Sequence, residues 1–212
     1  MLSTERRFLL LFIGILFTGH CDGQSRNATK PQTLTLGSHK SVPGEGMIQG
    51  MPGSQFALFV QNKQPATAST VRSVSFFIDK NGSPTQPFRV HLYKADGDEN
   101  KPGSDLLTQS VVAAATQGGK WFTVDVASYN ISVPQEGLFV AMEWITDAKH
   151  PSSTDATEDF MPYGQILRPT FEFKESRTWT YTIGNGWNLL QLPNGQGRSY
   201  NAMIKAEVDI IK

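Results

Sequence analysis

Aromatic side chains in the second half of the sequence are the first candidates for ligand contact. Residues 179–188 combine tryptophan and tyrosine with asparagine and glycine. The apolar faces of such rings stack on the C–H patches of sugars, while amide side chains bond to sugar hydroxyls. We therefore expect a ligand-binding surface formed by Trp179, Tyr181, Trp187 and Asn188, with Trp187 exposed in a loop. The alternative is that these rings pack in the core and in turns.

Two acidic residues lie in otherwise apolar, strand-like segments. Glu143 occurs in the run VAMEWI, and Asp125 occurs in FTVDV. A glycoside hydrolase needs two carboxylates placed across a cleft, so this pair makes a carbohydrate-active hydrolase an alternative function. Strand alternation would place Glu143 on the same side as Phe139 and Ala141. The competing interpretation is a structural ion pair between Glu143 and a basic residue of a neighbouring strand, such as Arg89.

The sequence gives little support for a metal site. Asp96, Asp98 and Asn100 offer alternating oxygen donors of the type that calcium binds. An EF-hand loop requires Gly at its sixth position and Glu at its twelfth, where this chain has Lys101 and Leu107. A solvated hairpin loop is the favoured interpretation, and a looser calcium site is the alternative. Because the histidines lack the spacing of zinc ligands, we expect no metal and no cofactor.

Short apolar stretches separated by turn signals must position these residues. Residues 88–94 alternate apolar and polar side chains, as a half-buried strand does, whereas residues 138–145 are almost continuously apolar, as in a central strand. No convincing amphipathic helix follows the leader. The pattern predicts an all-β fold, an antiparallel β-sandwich of the jelly-roll type. The predicted strands are residues 55–61, 71–79, 88–94, 106–115, 120–125, 138–145, 163–168, 177–183 and 201–211.

The N-terminal segment has the pattern of an export signal. Arg6 and Arg7 precede the apolar run of residues 8–17, which is too short to span a bilayer. We predict a signal peptide at residues 1–23 that is removed by cleavage, and hence an exported protein without a membrane span. Acylation of Cys21 as a lipoprotein anchor is the alternative.

The rest of the chain divides by composition into two parts. Residues 24–46 are polar and rich in turn-forming types, which predicts a flexible lead-in with room for one edge strand at residues 32–36. Residues 47–212 are long enough for a single β-sandwich domain. The single cysteine of the chain lies in the leader, so no intrachain disulfide holds this domain.

The charge balance excludes one broad class of partner. Lys plus Arg and Asp plus Glu each total 19, so the formal net charge is zero. A protein that binds nucleic acid without sequence preference needs a basic field to neutralise phosphates, and this chain has no such excess. We therefore expect recognition through aromatic contact and shape rather than through long-range electrostatic attraction.

Several segments of the chain carry a resemblance to known proteins. They are SVSFFI at 73–78, PFRVHLY at 87–93, KPGSDLL at 101–107, GKWFTVDV at 119–126, YNISVP at 129–134, FVAMEWI at 139–145 and NAMIKAE at 201–207. Together they resemble an uncharacterised secreted or envelope module of Bacteroidetes-type bacteria, which accompanies carboxypeptidase-regulatory-like domains in larger relatives. The resemblance implies a galactose-binding-like β-sandwich and assigns no catalytic residues.

These observations favour a binding protein over an enzyme. We expect an exported, non-catalytic β-sandwich that binds a glycan or a protein partner at the cell envelope. The alternatives are the hydrolase that would use Glu143 and Asp125, and a structural subunit of an envelope assembly.

Overall fold

The computed structural model describes residues 32–39, 43–146, 164–191 and 199–211. These residues belong to one compact unit, Pro31–Lys212. The predicted signal peptide at residues 1–23, with Cys21, lies outside the described residues. Within the described segments, no helix is long and apolar enough to cross a membrane.

Nearly all regular structure in these segments is β-strand. Alternating and apolar runs bounded by Gly, Pro, Asn and Asp give this outcome, because such residues end strands and begin turns. The strands are β1 (Thr33–Gly37), β2 (Gln55–Gln61), β3 (Ser69–Gly82), β4 (Phe88–Tyr93), β5 (Val111–Ala113), β6 (Lys120–Asp125), β7 (Gly137–Trp144), β8 (Gln165–Leu167), β9 (Pro169–Thr170), β10 (Thr178–Thr182), β11 (Gly186–Leu189), β12 (Asn201–Ala202) and β13 (Ile204–Ile210).

Two antiparallel sheets form the sandwich. The five-stranded sheet has the order β1-β13-β3-β6, and β8 also pairs with β3. The six-stranded sheet has the order β11-β10-β2-β7-β4-β5. A short separate pair joins β9 and β12. All the described strand pairs are antiparallel, which confirms the predicted all-β antiparallel sandwich.

The main core lies between the two sheets. Phe88 of β4 is fully buried there, and its ring contacts Phe76 of β3 and Phe122 of β6 at centroid distances of 5.3 and 6.0 Å. These edge-to-face contacts join the two sheets. At one end of the core the Trp144 indole donates a hydrogen bond from Nε1 to the Gln165 carbonyl at 2.8 Å.

Strand β7 is buried on both of its sides. One set of alternating residues packs in the main core, and it includes Val140 and Met142. The other set includes Phe139 and Ala141, which belong to a second, smaller apolar cluster on the outward side of the sheet. The sequence of β7 is apolar at almost every position because each side of the strand packs in a separate apolar cluster.

Most predicted strands are present, and two segments differ. The segment 106–115 was predicted as one strand, but β5 begins at Val111, because backbone bonds such as that from Leu106 N to the Leu92 carbonyl hold its first half as a loop. The segment 184–188 was predicted as a loop, but Gly186–Leu189 form strand β11. A tight turn with Gly184 at φ 88° returns the chain from β10, a conformation that favours glycine.

The predicted edge strand at residues 32–36 is also present, as β1. It pairs with β13 over its whole length and buries Leu36 against the main core. Part of the segment that the sequence suggests as a flexible lead-in is thus built into the sandwich.

Candidate functional site

The outward side of the six-stranded sheet carries most of the candidate ligand-contacting residues. Strand alternation and register place Trp179 of β10 beside Ala57 of β2 and Ala57 beside Ala141 of β7. Ala141 in turn lies beside His91 of β4. We call this side the aromatic face, and its central residues are Ala57, Phe59, Tyr93, Phe139, Ala141, Trp179, Tyr181 and Trp187.

Two alanines at the centre of the aromatic face are completely buried. Ala57 and Ala141 are each 0% exposed, although they point away from the main core. The rings of Tyr93 and Trp187 meet above them at a centroid distance of 5.7 Å. These rings come from β4 and β11, which three intervening strands would hold about 19 Å apart in a flat sheet. Their contact therefore requires a curved sheet and small residues beneath it.

A cleft opens at one end of the aromatic face. Its volume is about 550 Å³. The apolar part of its lining consists of Phe59, Ala95, Phe139, Trp179 and Leu189. Polar side chains surround this apolar part, namely Gln61, Glu99, Asn100, Glu136, Glu175, Ser176 and Arg177.

The rings in the cleft hold one another in fixed relative positions. Phe59 and Phe139 are neighbours in the ladder, and their ring centroids are 5.1 Å apart. Trp179 meets Phe139 edge to face at 6.3 Å. Such contacts add stability beyond the burial of area. The cleft therefore presents a preformed apolar surface, which costs little conformational entropy when a ligand binds.

One wall of the cleft is the connection between β4 and β5. Asp105 fixes the base of this loop, because its Oδ1 accepts hydrogen bonds from Leu107 N at 3.0 Å and Leu92 N at 3.3 Å. Near the tip, Asp96 Oδ1 accepts a bond from Ser104 N at 2.7 Å. These contacts position Ala95, Glu99 and Asn100 at the cleft.

The calcium alternative for this loop receives no geometric support. The hydrogen bond from the Ser104 backbone lowers the pKa of the exposed Asp96, whose carboxylate thus stabilises the turn itself. Among the described residues, no group of three or more His, Cys, Asp or Glu side chains is placed to hold a metal ion.

A network of charged side chains lies beside the rings of the aromatic face. Glu143 Oε2 accepts hydrogen bonds from Arg89 Nη1 at 2.7 Å and from His91 Nε2 at 2.8 Å. The other ring nitrogen of His91, Nδ1, lies 2.6 Å from Asp105 Oδ2. The ion pair between Glu143 and Arg89 that the sequence suggested is therefore present. Glu143 also shares the outward side of β7 with Phe139 and Ala141, as alternation predicts.

His91 has a carboxylate at each ring nitrogen. Burial lowers the pKa of His91, but its hydrogen bonds to Asp105 and Glu143 outweigh burial and raise the pKa above its usual value. A neutral imidazole has one N–H, and an imidazolium has two. The charged form can therefore donate to both carboxylates at once.

Tyr93 belongs to the aromatic face and contacts this charged network. Its ring stacks on His91 with centroids 5.2 Å apart, and its hydroxyl donates to Gln55 Oε1 at 2.9 Å. Burial, assisted by the charge of Asp105, raises the pKa of the Tyr93 hydroxyl. The phenol is therefore a stable hydrogen-bond donor over the neutral range.

The structure brings together three of the four residues that the sequence proposed as ligand contacts. Trp179 lines the cleft. Tyr181 and Trp187 pair across β10 and β11, with ring centroids 5.4 Å apart, and they extend the aromatic face beyond the cleft. Trp187 was expected to be exposed in a loop, but it is half-buried in β11, because it covers the alanines with Tyr93.

Asn188 lies apart from the other three. Its neighbour Trp187 points outward, so strand alternation directs Asn188 to the opposite side of the sheet. Its Nδ2 donates to the carbonyls of Asn185 and Gly186 at 3.3 and 3.4 Å. Asn188 thus stabilises the hairpin turn rather than the aromatic face.

The two carboxylates of the hydrolase alternative are not brought together. Glu143 projects outward from the six-stranded sheet, whereas Asp125 is on β6 of the five-stranded sheet, beside Ser73. Asp125 also projects outward, and its Oδ1 accepts a bond from Ala127 N at 2.8 Å. Packed sheets are about 10 Å apart, and these side chains point away from each other, so the pair cannot flank one glycosidic bond.

Sequence reasoning missed the other residues of the cleft. Phe59 and Gln61 share a side of β2 with Gln55 and Ala57, and this mixture of aromatic, small and polar residues was readable from QFALFVQ. Phe139 was recognised as sharing a side with Glu143, but its neighbours are set by strand pairing across distant parts of the chain.

No protein-family model matches the chain, and no curated protein matches it. Among solved structures, the chain is similar to the crystal structure of the cysteine protease and lectin-like domains of Cwp84, a surface layer associated protein of Clostridium difficile. The identity is 12% and the TM-score is 0.44. The similar region covers 74% of this chain and 32% of that one, so the chain spans about a third of that protein's length.

Proposed function

We propose that this protein is a non-catalytic domain that binds a glycan in the cleft of the aromatic face. The observation that carries this proposal is the grouping of Phe59, Phe139 and Trp179 on the floor of a 550 Å³ cleft whose rim is polar. Sugar rings present both apolar C–H patches and hydroxyl groups, and such a lining offers a partner for each.

The size and openness of the cleft agree with a chain-like ligand. Its volume falls within the usual range for ligand sites, about 300 to 1,000 Å³. The aromatic face continues from the cleft through Trp179 to Tyr181 and Trp187, so further sugar units would meet additional rings. Amide and carboxylate groups at the rim, such as Gln61, Asn100 and Glu136, supply hydrogen-bond partners for hydroxyls.

The proposal is one of binding rather than hydrolysis. Its support is that Glu143 is held by Arg89 and His91, while Asp125 is on the other sheet. We further propose that the protein acts outside the cytoplasm, at the cell envelope, for which the support is the signal-like pattern of residues 1–23.

A glycan array followed by calorimetric titration tests the proposal. Trp179→Ala removes a ring from the cleft, and we expect it to weaken binding of the best glycan at least about fivefold, since a ring that stacks on a ligand, as on a nucleobase, contributes about 1 to 3 kcal/mol. Trp121→Ala is the matched control, because Trp121 is also a half-buried outward Trp but belongs to β6 of the five-stranded sheet. It should leave the affinity unchanged.

Folding of the variant is checked separately. If Trp179→Ala proves unstable by near-ultraviolet circular dichroism, Phe59→Leu keeps an apolar side chain and removes only the aromatic ring from the cleft. Absence of any glycan binding by the unmodified protein, or equal loss of affinity in the Trp121→Ala control, would refute the proposed site.

A further inference from the structure

The charged groups around the cleft are unequal in sign. Among the described residues that line it, three carry carboxylates, Glu99, Glu136 and Glu175, and one carries a cation, Arg177. The whole chain has equal numbers of acidic and basic residues. The acidic character of this rim is thus a local property of the site.

The single cation of the lining is already engaged. Arg177 Nε donates to Glu175 Oε1 at 2.7 Å, and Nη2 donates to the same oxygen. The guanidinium carbon also lies 4.6 Å from the centroid of the Phe173 ring. Arginine is the side chain best suited to grip a carboxylate or sulfate with its planar fork. Because this fork is already bonded to Glu175, an anionic sugar would have to displace an existing ion pair.

The other two rim carboxylates remain open to a ligand. Glu99 is 80% exposed on its side chain, and its contact with Lys101 at 3.2 Å is a surface ion pair that contributes little. The Glu136 side chain has no hydrogen bond or ion pair with any described residue. It lines the cleft and directly precedes β7, the strand that carries Phe139. Ionised carboxylates are acceptors only, and so this rim requires donors.

The aromatic floor of the cleft, like its acidic rim, favours a positively charged ligand. The half-buried rings of Phe59 and Trp179 carry the negative part of the ring quadrupole on their faces, which attracts a cation above the ring. An ammonium group on a sugar stacked over this floor would meet the rings below it and carboxylates beside it.

We infer that the cleft selects glycans that bear free, protonated amino groups, such as chains containing deacetylated hexosamine, over neutral glycans and over glycans that bear uronate or sulfate. This inference rests on the proposed function. An ammonium group donates up to three hydrogen bonds, which suits Glu99, Glu136 and the remaining oxygen of Glu175. A carboxylate on the ligand would instead meet groups of like charge.

Three oligosaccharides of equal length test the selection. Calorimetric titration would compare a β-1,4-linked glucosamine oligomer, its N-acetylated counterpart and an oligogalacturonate, at about pH 5.5, which keeps the sugar amines protonated. We expect the glucosamine oligomer to bind about fivefold or more tightly than the acetylated one, and the oligogalacturonate to bind most weakly. Raising the salt from about 0.05 to 0.5 M should reduce this preference, since exposed charges are screened.

Two variants locate the selection in the rim. Glu136→Gln removes one carboxylate charge and keeps the size of the side chain and one oxygen acceptor, so it should weaken binding of the glucosamine oligomer more than binding of the acetylated one and thereby reduce the preference for the amine. Asp125→Asn is the control, because it removes a similar charge from the outward side of the other sheet. It should change neither affinity.

The outcomes separate this inference from the proposed function. If the acetylated oligomer binds as tightly as the glucosamine oligomer, and binding depends on Trp179, the amine selection is refuted while glycan binding stands. If no glycan binds, both fail. If a lysine-rich peptide binds as tightly as the glucosamine oligomer and is insensitive to Trp179→Ala, the rim attracts cations without recognising a sugar, and the inference is again refuted.

Discussion

The outward sides of the two sheets differ, although both sheets are built from antiparallel strands. On the five-stranded sheet one aromatic pair, Phe77 and Trp121, lies among outward positions of β3 and β6 that are otherwise short and polar. An example of the polar positions is the contact between Ser75 Oγ and Thr123 Oγ1 at 2.9 Å. On the six-stranded sheet the corresponding positions hold aromatic residues around the buried pair Ala57 and Ala141. The buried outward serines Ser73 and Ser75 bond to polar side chains of neighbouring strands, whereas the buried alanines of the aromatic face are covered by rings.

This difference indicates why the candidate site is where it is. Tyr93 and Trp187 cover the centre of the aromatic face by leaning together over the alanines. Near Phe59 no such pair of rings from the described segments closes the surface, and the cleft opens there. The aromatic face thus combines a second small core with an open end, and the open end is where a ligand can complete the burial of the rings.

The largest effect is expected from Phe139→Ala. Phe139 is almost completely buried on an outward-pointing position, and it contacts both Phe59 and Trp179. If the aromatic face is a second core, this substitution should lower the free energy of unfolding by about 3 to 5 kcal/mol, as removal of a core phenylalanine does. Urea denaturation measures the change.

Thr123→Ala is the counterpart on the five-stranded sheet. It removes the hydroxyl that meets Ser75, and so it should cost about 1 kcal/mol or less. Costs of similar size in the two variants would contradict the contrast between the two outward sides.

An intermediate effect on stability is expected when one of the two buried alanines of the aromatic face is replaced by a larger residue. Ala141→Leu places a larger side chain directly beneath the contact between Tyr93 and Trp187. Overfilling a packed site costs about 1 to 3 kcal/mol. The substitution should also push Trp187 toward water, which would shift tryptophan fluorescence to longer wavelength.

Val112→Leu provides the control for this substitution. Val112 points outward from the edge strand β5, beside Arg89, and is 51% exposed. The larger side chain should be tolerated there, with a change in stability close to zero. An equally small change at Ala141 would show that the centre of the aromatic face has free space, and the account of its curvature would be wrong.

The strands were largely predictable because their signals are local. β2 and β6 were predicted with their observed bounds from short strand-like segments separated by turn signals. β11 was not, since residues 184–188 are rich in Gly and Asn and have little strand preference of their own. Its pairing with β10 holds it as a strand, and pairing of this kind depends on the hairpin as a whole.

The site was less predictable because it depends on contacts between distant parts of the chain. Trp179 was identified from its residue type, but its neighbours Phe59 and Phe139 come from strands far away in the sequence. The ion pair of Glu143 with Arg89 was suggested by strand alternation and is present. The displacement of Asn188 from the site also follows from alternation, once residues 186–189 are known to be a strand.

The smallest effect on the free energy of unfolding is expected from His91 in the charged network beside the aromatic face, and this effect should depend on pH. Asp105, Glu143 and Arg89 are the charged groups that contact or adjoin His91. Because the folded-state pKa of His91 is raised, the folded protein binds this proton more tightly than the unfolded chain does. The resulting stabilisation is fully present below about pH 6.5, the ordinary pKa of histidine, and is lost as the pH rises through the folded-state value.

Urea denaturation across about pH 5.5 to 8.5 can isolate this contribution if the protein is compared with His91→Gln. The difference in unfolding free energy between the two should shrink as the pH rises. His39 contributes with the opposite sign, since burial lowers its pKa, but it is present in both proteins and cancels in the difference. A difference that stays constant over this range would mean that the two carboxylates beside His91 do not hold its proton. The network would then serve only to anchor the β4–β5 loop through Asp105 to the Leu92 and Leu107 backbone.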